Sequence, residues 1–212
     1  ALAANTTGAE NTAVGANALD ANTTASGGAA FGKGALTSNT TGAENTSLGT
    51  SSLQQNTTGD YNTAVGNQAL KGNTTADNNT AVGYKSLFAN TTGTDNTAVG
   101  MLALNANTTN SNNTAIGVNA LRVSTSDNNT CVGHNAGYNV STGSQVTAFG
   151  KNACYTNTTG TDVTAVGYAA LYNNNASRNC AFGYFSQYGT TTGTRNISMG
   201  MYSLQSCTTG VS

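Results

Sequence analysis

Nine tyrosines, four cysteines, one histidine and a recurring Asn-Thr-Thr tripeptide are the residues of this chain with chemistry to offer. Tyr138, Tyr155, Tyr172 and Tyr188 follow one another at intervals of 17, 17 and 16 residues, and Tyr168 and Tyr184 are 16 apart. In a chain wound into coils of that length they stand in columns. An exposed aromatic stripe suits stacking on sugars or contact with another protein, and the alternative is mutual stacking that stiffens the chain or lines a subunit seam. The tripeptide begins at Asn22, Asn39, Asn56, Asn73, Asn90, Asn107 and Asn157. It is an N-glycosylation sequon. It is also a turn former whose side chains can stack as amide and hydroxyl ladders.

The remaining reactive residues do not converge. His134 is the single histidine and sits at a variable place, a poor start for a metal site or a general base. Glu10, Glu44, Asp60, Asp77, Asp95 and Asp162 recur without the spacing of a calcium loop and read as polar turn residues. Cys131, Cys154, Cys180 and Cys207 replace four different residues of the repeat, so they should not stack into disulfides. Cys131 and Cys154 are expected as buried thiols, with Cys180 or Cys207 open to an interchain bond. No catalytic residues, metal or cofactor are expected, and the chain reads as a non-enzyme.

What positions these residues is a repeat, N-T-A-V-G-x-x-A-L-x-x-N-T-T-G-x-x, that fills residues 1–212. Its first glycine returns every 17 residues from Gly15 to Gly200, except for two steps of 16, Gly117 to Gly133 and Gly167 to Gly183. A fixed period of this size predicts one structural coil per unit, about twelve in all, stacked as an all-β parallel solenoid. The chain contains no proline, as a backbone bonded to the coils above and below requires. Gly, Asn and β-branched residues disfavour helix.

Each unit predicts two or three short strands. The residue before the glycine is large and apolar (Val14, Phe31, Leu48, Val65), and the one before that is small (Ala13, Ala30, Ser47, Ala64). Neighbours on a strand face opposite sides, so one side takes bulk and the other does not. A second alternation follows at Ala18-Leu19 and its equivalents. The expectation is that Val and Leu fill a narrow interior while the small residues face a tightly apposed surface. The reverse, with Ala inside and Val and Leu in a seam between chains, is the alternative. In the two short units the Asn-Thr-Thr element is lost (Ser124-Thr125-Ser126 and Asn174-Asn175-Ala176), which places the deletion in a turn on an exposed edge.

Charged residues are 7% of the chain and the net charge is -1, so there is no basic stripe for nucleic acid. No apolar run is long enough to span a bilayer as a helix. The chain opens at Ala1-Leu2 partway through a unit, and neither end carries a recognisable cap. The expectation is one repeat domain, 1–212, forming a segment of a longer fibre or a filament subunit.

The N-T-A-V-G run, as at Asn62–Gly66, and the A-L that follows resemble the head repeats of trimeric autotransporter adhesins. They also resemble the N-T-A-V-G…N-T-T-G repeats of viral and bacterial fibre proteins. The resemblance covers the whole chain, although this unit is longer than the usual adhesin-head repeat. It implies a left-handed β-roll, often trimeric, serving as a fibre shaft or adhesin head. The expected function is a structural fibre or adhesin module at a cell surface, virion or extracellular filament. Its expected partners are its own copies, as trimer or filament, and surface glycans. The alternative is an ice- or surface-binding solenoid using Thr and Asn ladders, against which stands the adjacency of the two threonines.

Overall fold

The computed structural model describes residues 1–206, 208 and 209. The chain is an all-β parallel solenoid with one coil per repeat unit. It comprises two compact units, Ala1–Ser111 and Asn112–Ser212.

In the first unit, β1 (Thr12–Val14), β2 (Ala29–Phe31), β3 (Thr46–Leu48), β4 (Thr63–Val65), β5 (Thr80–Val82) and β6 (Thr97–Val99) pair in parallel, each with the next. Partners lie 17 residues apart, as in Ala64↔Ala81 and Val65↔Val82. The second unit carries β7 (Thr114–Ile116), β8 (Thr130–Val132), β9 (Val146–Phe149), β10 (Val163–Val166), β11 (Cys180–Phe182) and β12 (Ile197–Met199) in the same arrangement. The two short repeats shift the pairing to 16 without breaking it, giving Thr114↔Thr130 and Thr164↔Cys180.

Each coil holds one strand, not the expected two or three. The Ala-Leu segment is a turn. Its leucines adopt the left-handed conformation, with φ of 48° at Leu19, 47° at Leu53 and 50° at Leu70. That conformation costs an L-residue about 1–2 kcal/mol. Burying a leucine completely returns about 1.5–3 kcal/mol, and these leucines are completely buried. Burial therefore wins, and the turn aims the side chain inward. Coil-to-coil hydrogen bonding continues through this turn, as in Leu53 N–H to Ala69 O at 2.9 Å.

The leucine determines which side of the strand is inside. Ala64, Ala81 and Ala98 are buried, while the neighbouring Val65, Val82 and Val99 face outward and are half-buried. This corrects the expectation that Val and Leu share the interior: Leu is inside and Val is outside. Gly137 shows why. It stands at a leucine position, and a Cβ added there would meet the Cys131 Sγ at 2.6 Å, so that turn looks directly at the small residue of the strand. The cavity is too narrow for bulk from both walls. In this coil the larger Cys131 in place of alanine compensates for the glycine in place of leucine.

The glycine after each strand is fixed by close approach. A Cβ on Gly66, at φ +130°, would lie 2.6 Å from the Gly83 carbonyl oxygen of the next coil.

The asparagines are the second surprise. Those that open the tripeptide are buried. From Asn22 to Asn107 each Nδ2 donates to the Oδ1 of the asparagine one coil earlier, as in Asn56 to Asn39 at 2.8 Å and Asn73 to Asn56 at 2.8 Å. The asparagine that opens the unit is buried too, and its Oδ1 accepts from the backbone of the next coil (Asn62 N–H to Asn45 Oδ1, 2.9 Å). Both side chains also donate to one inward-pointing carbonyl. Gly59 O receives Asn45 Nδ2 at 2.7 Å and Asn56 Nδ2 at 2.9 Å. A buried carbonyl without a donor is costly, which explains the recurrence of asparagine. Where Val146 and Val163 replace the opening asparagine, β9 and β10 lengthen to four residues. Asn157 and Asn174 still supply donors to Gly160 O and Ala176 O.

Candidate functional site

The surface residue just after the leucine carries a column of stacked aromatic rings. In the second unit Tyr138, Tyr155, Tyr172 and Tyr188 form one column, with ring centroids 5.2, 5.0 and 5.0 Å apart and interplanar angles of 18°, 8° and 22°. The Arg122 guanidinium lies below it, 5.6 Å from the Tyr138 centroid, and donates to the Tyr138 hydroxyl at 2.9 Å. Tyr168 and Tyr184 form a shorter stack at 5.2 Å. Phe185 joins the two columns, edge-on to Tyr168 and Tyr184 and 4.9 Å from Tyr188. Phe185 has φ +53°, a conformation that the sequence does not announce.

The columns are as spaced in the sequence, but the geometry changes what they can do. Parallel rings 5 Å apart use their faces on each other, so edges and hydroxyls point outward. Sugar rings stack on aromatic faces, and between successive rings of the long column those faces are occupied. The column is therefore a row of phenol groups and a stiffener of the turn. Partial burial and the neighbouring phenols Tyr155, Tyr188 and Tyr168 raise the Tyr172 pKa above its ordinary value.

The sequon asparagines Asn22, Asn39, Asn56, Asn73, Asn90, Asn107 and Asn157 lie inside, with side-chain nitrogens committed to hydrogen bonds (Asn22 Nδ2 to Asn5 Oδ1, 2.8 Å; Asn157 Nδ2 to Gly160 O, 3.0 Å). The folded coil leaves no room there for a glycan. The following threonine bonds along the stack, as in Thr57 Oγ1 to Thr74 O at 2.9 Å. Acids at the end of the unit cap backbone groups of the preceding coil: Asp60 Oδ1 accepts from Ala43 N–H and Asp77 Oδ1 from Asp60 N–H, both at 2.7 Å. His134 is exposed. Among the described residues no three His, Cys, Asp or Glu side chains gather as a metal site, and no helix is long and apolar enough to cross a membrane.

Cys131 and Cys154 are buried free thiols, and Cys180 is a half-buried free thiol. Burial pushes Cys154 up to about 12 and, with the nearby Cys154 sulfur adding to it, raises Cys131 well above its ordinary value. Cys207 lies outside the described residues.

Two features escaped the sequence reading. The first is the outward strand face. Because alanine is inside, the threonine before it and the large residue after it face solvent together, giving a Thr column beside an apolar column. Val14, Phe31 and Leu48 are 56, 39 and 49% exposed in the first unit, and Ile116, Phe149 and Phe182 are 39, 41 and 38% exposed in the second. None of the twelve strands carries a charged residue at either outward place. The second feature is a groove in the first unit beside Lys71 and Phe88. Their 17-residue spacing at the tyrosine place of the repeat was its available signal.

No protein-family model, curated protein sequence or solved structure matches the chain. Its function is argued from these surfaces.

Proposed function

We propose that the chain is a non-catalytic fibre module that associates with copies of itself through the outward strand face and serves adhesion at a cell surface, virion or extracellular filament. The observation that supports this most is the uncharged apolar column, repeated coil after coil with threonine beside it. Contiguous exposed apolar surface of this kind marks association sites. A second copy is the occupant that matches it best, because it presents the same rungs about 4.8 Å apart.

The magnitudes fit an association that strengthens with length. A half-exposed valine leaves roughly 60 Å² to cover, worth about 1.5 kcal/mol at 25 cal/mol/Å². Six coils give about 9 kcal/mol per chain, within the cost of about 4–15 kcal/mol that association must overcome. Light scattering on the purified chain should give a dimer or larger mass. Replacing Val65 and Val82 by lysine puts two ammonium groups on adjacent rungs and should return the monomer with an unchanged β-sheet spectrum. A native monomer at high concentration, or a variant that still associates, would defeat the proposal.

The Thr column also favours a second reading, an ice- or surface-binding plane. The adjoining column mixes Val, Phe, Leu, Ile and Met. Such uneven heights suit interdigitation with a protein better than contact with a flat lattice. Thermal hysteresis that survives in the V65K/V82K variant would favour neither reading of this face, whereas hysteresis that the substitution abolishes would favour the second.

A further inference from the structure

In the first unit a shallow groove of about 220 Å³ is lined by Gln55, Lys71, Gly72, Phe88, Ala89 and Thr91. It exists because the place after the tyrosine position is small in two successive coils. At Gly72 a Cβ would lie 2.9 Å from Phe88 O and 3.1 Å from Asn90 O, so a side chain there would force the backbone to shift. Two ammonium groups flank the Phe88 ring: Lys71 Nζ is 5.9 Å and Lys85 Nζ 5.3 Å from its centroid, and Lys85 Nζ is 5.4 Å from that of Tyr84. Among the described residues neither ammonium has a carboxylate within salt-bridge distance. Two cations without anionic partners thus stand beside an apolar floor, in a chain with seven lysines and arginines in all.

We infer that this groove binds the carboxylate-bearing ring of an acidic saccharide, such as a uronic acid. The Lys71 ammonium, which lines the groove, holds the carboxylate, and the Lys85 ammonium beside the Phe88 ring adds its positive charge nearby. The C–H face of the pyranose ring lies on Gly72, Ala89 and the Phe88 side chain. Hydroxyls reach the Gln55 amide and the Thr91 Oγ1, which donates to Thr108 O at 2.9 Å and retains lone pairs to accept. A neutral sugar lacks the charge, and a small carboxylate lacks the ring. This inference rests on the surface role proposed above and names the ligand class for it.

The test is a titration of the isotope-labelled chain by NMR with glucuronate, glucose and acetate, at low salt. Glucuronate should shift the amide signals of Gly72, Ala89 and Thr91 and saturate in the millimolar range, with glucose and acetate each weaker by about tenfold or more. Lys71→Gln with Lys85→Gln should weaken glucuronate by about tenfold and leave the remaining spectrum in place. Phe88→Leu, which keeps the charges, should weaken glucuronate more than acetate. Acetate binding as tightly as glucuronate would reduce the groove to an anion patch and overturn the saccharide assignment. So would shifts that miss these amides, or binding indifferent to both lysines. Light scattering on the same samples reads self-association separately, so loss of one proposal is distinguishable from loss of the other.

Discussion

The Gly59 carbonyl is the sharpest place to test why asparagine is inside. Among the described residues its donors are Asn45 Nδ2 and Asn56 Nδ2. Valine stands naturally at both equivalent places elsewhere, as Val146 and Val140, so Asn45→Val and Asn56→Val introduce no unprecedented bulk. Either single change removes two or three buried hydrogen bonds worth about 1 kcal/mol each. Burial of the valine side chain offsets part of that, leaving a cost of about 1–2 kcal/mol. In each single variant the carbonyl keeps one donor. The double variant leaves it buried and bare, which adds about 1–3 kcal/mol. The double cost should therefore exceed the sum of the singles by that amount in urea denaturation. Asn157→Val provides a control. Val146 has already removed the companion donor in that coil, so the single change should show the extra penalty by itself. Additivity within about 0.5 kcal/mol at residues 45 and 56 would refute the reasoning that the carbonyl is what these asparagines serve.

Gln187 occupies a leucine place, completely buried, with its Oε1 unpartnered and its Nε2 only 3.4 Å from Cys180 O. Gln187→Leu should raise the urea midpoint by the equivalent of about 1–3 kcal/mol, and a lowered midpoint would show that the glutamine is needed there. The buried thiols predict an alkaline sensitivity. Their folded pKa values are raised, so the folded chain keeps protons that the unfolded chain releases above about pH 9. Their contribution is whole below that pH and is lost as pH rises towards about 12. Cys154→Leu, which restores the repeat residue, should reduce the decline of stability above pH 9 by up to about 1.4 kcal/mol per pH unit. An identical pH slope in the variant would count against burial as the cause.

The period, the strand positions and the tyrosine columns were legible because spacing alone fixes them once coils stack. Orientation was not. Both Ala64 and Val65 are apolar, and alternation says only that they part company. The choice depends on Leu70 arriving from the facing turn, and Leu70 does so in a backbone conformation that leucine rarely adopts. Ala69-Leu70 therefore read as a second strand. Asn56 was read as an edge residue for a similar reason. Its tripeptide resembles a turn, and the need of Gly59 O for a donor is visible only when the chain is closed on itself. Lys71 and Phe88 passed unnoticed because they form a pair only across coils.

The coil 163–178 has one residue fewer than its neighbours, and a side chain covers the loss. Elsewhere two threonine N–H groups share one carbonyl of the coil above, as Thr57 and Thr58 do with Thr74 O. Above Thr158 and Thr159 the Oδ1 of Asn175 takes that place, accepting their N–H groups at 2.9 and 3.1 Å and the Thr158 hydroxyl at 2.7 Å. The amide of asparagine copies a peptide group closely enough to act as a prosthetic one. A codon lost from this arm of the gene therefore need not shift every strand that follows. Repeats could drift in length during duplication and exchange wherever an asparagine is at hand to splice the gap, so the 17-residue rule constrains the strand and its glycine more tightly than it constrains the arm.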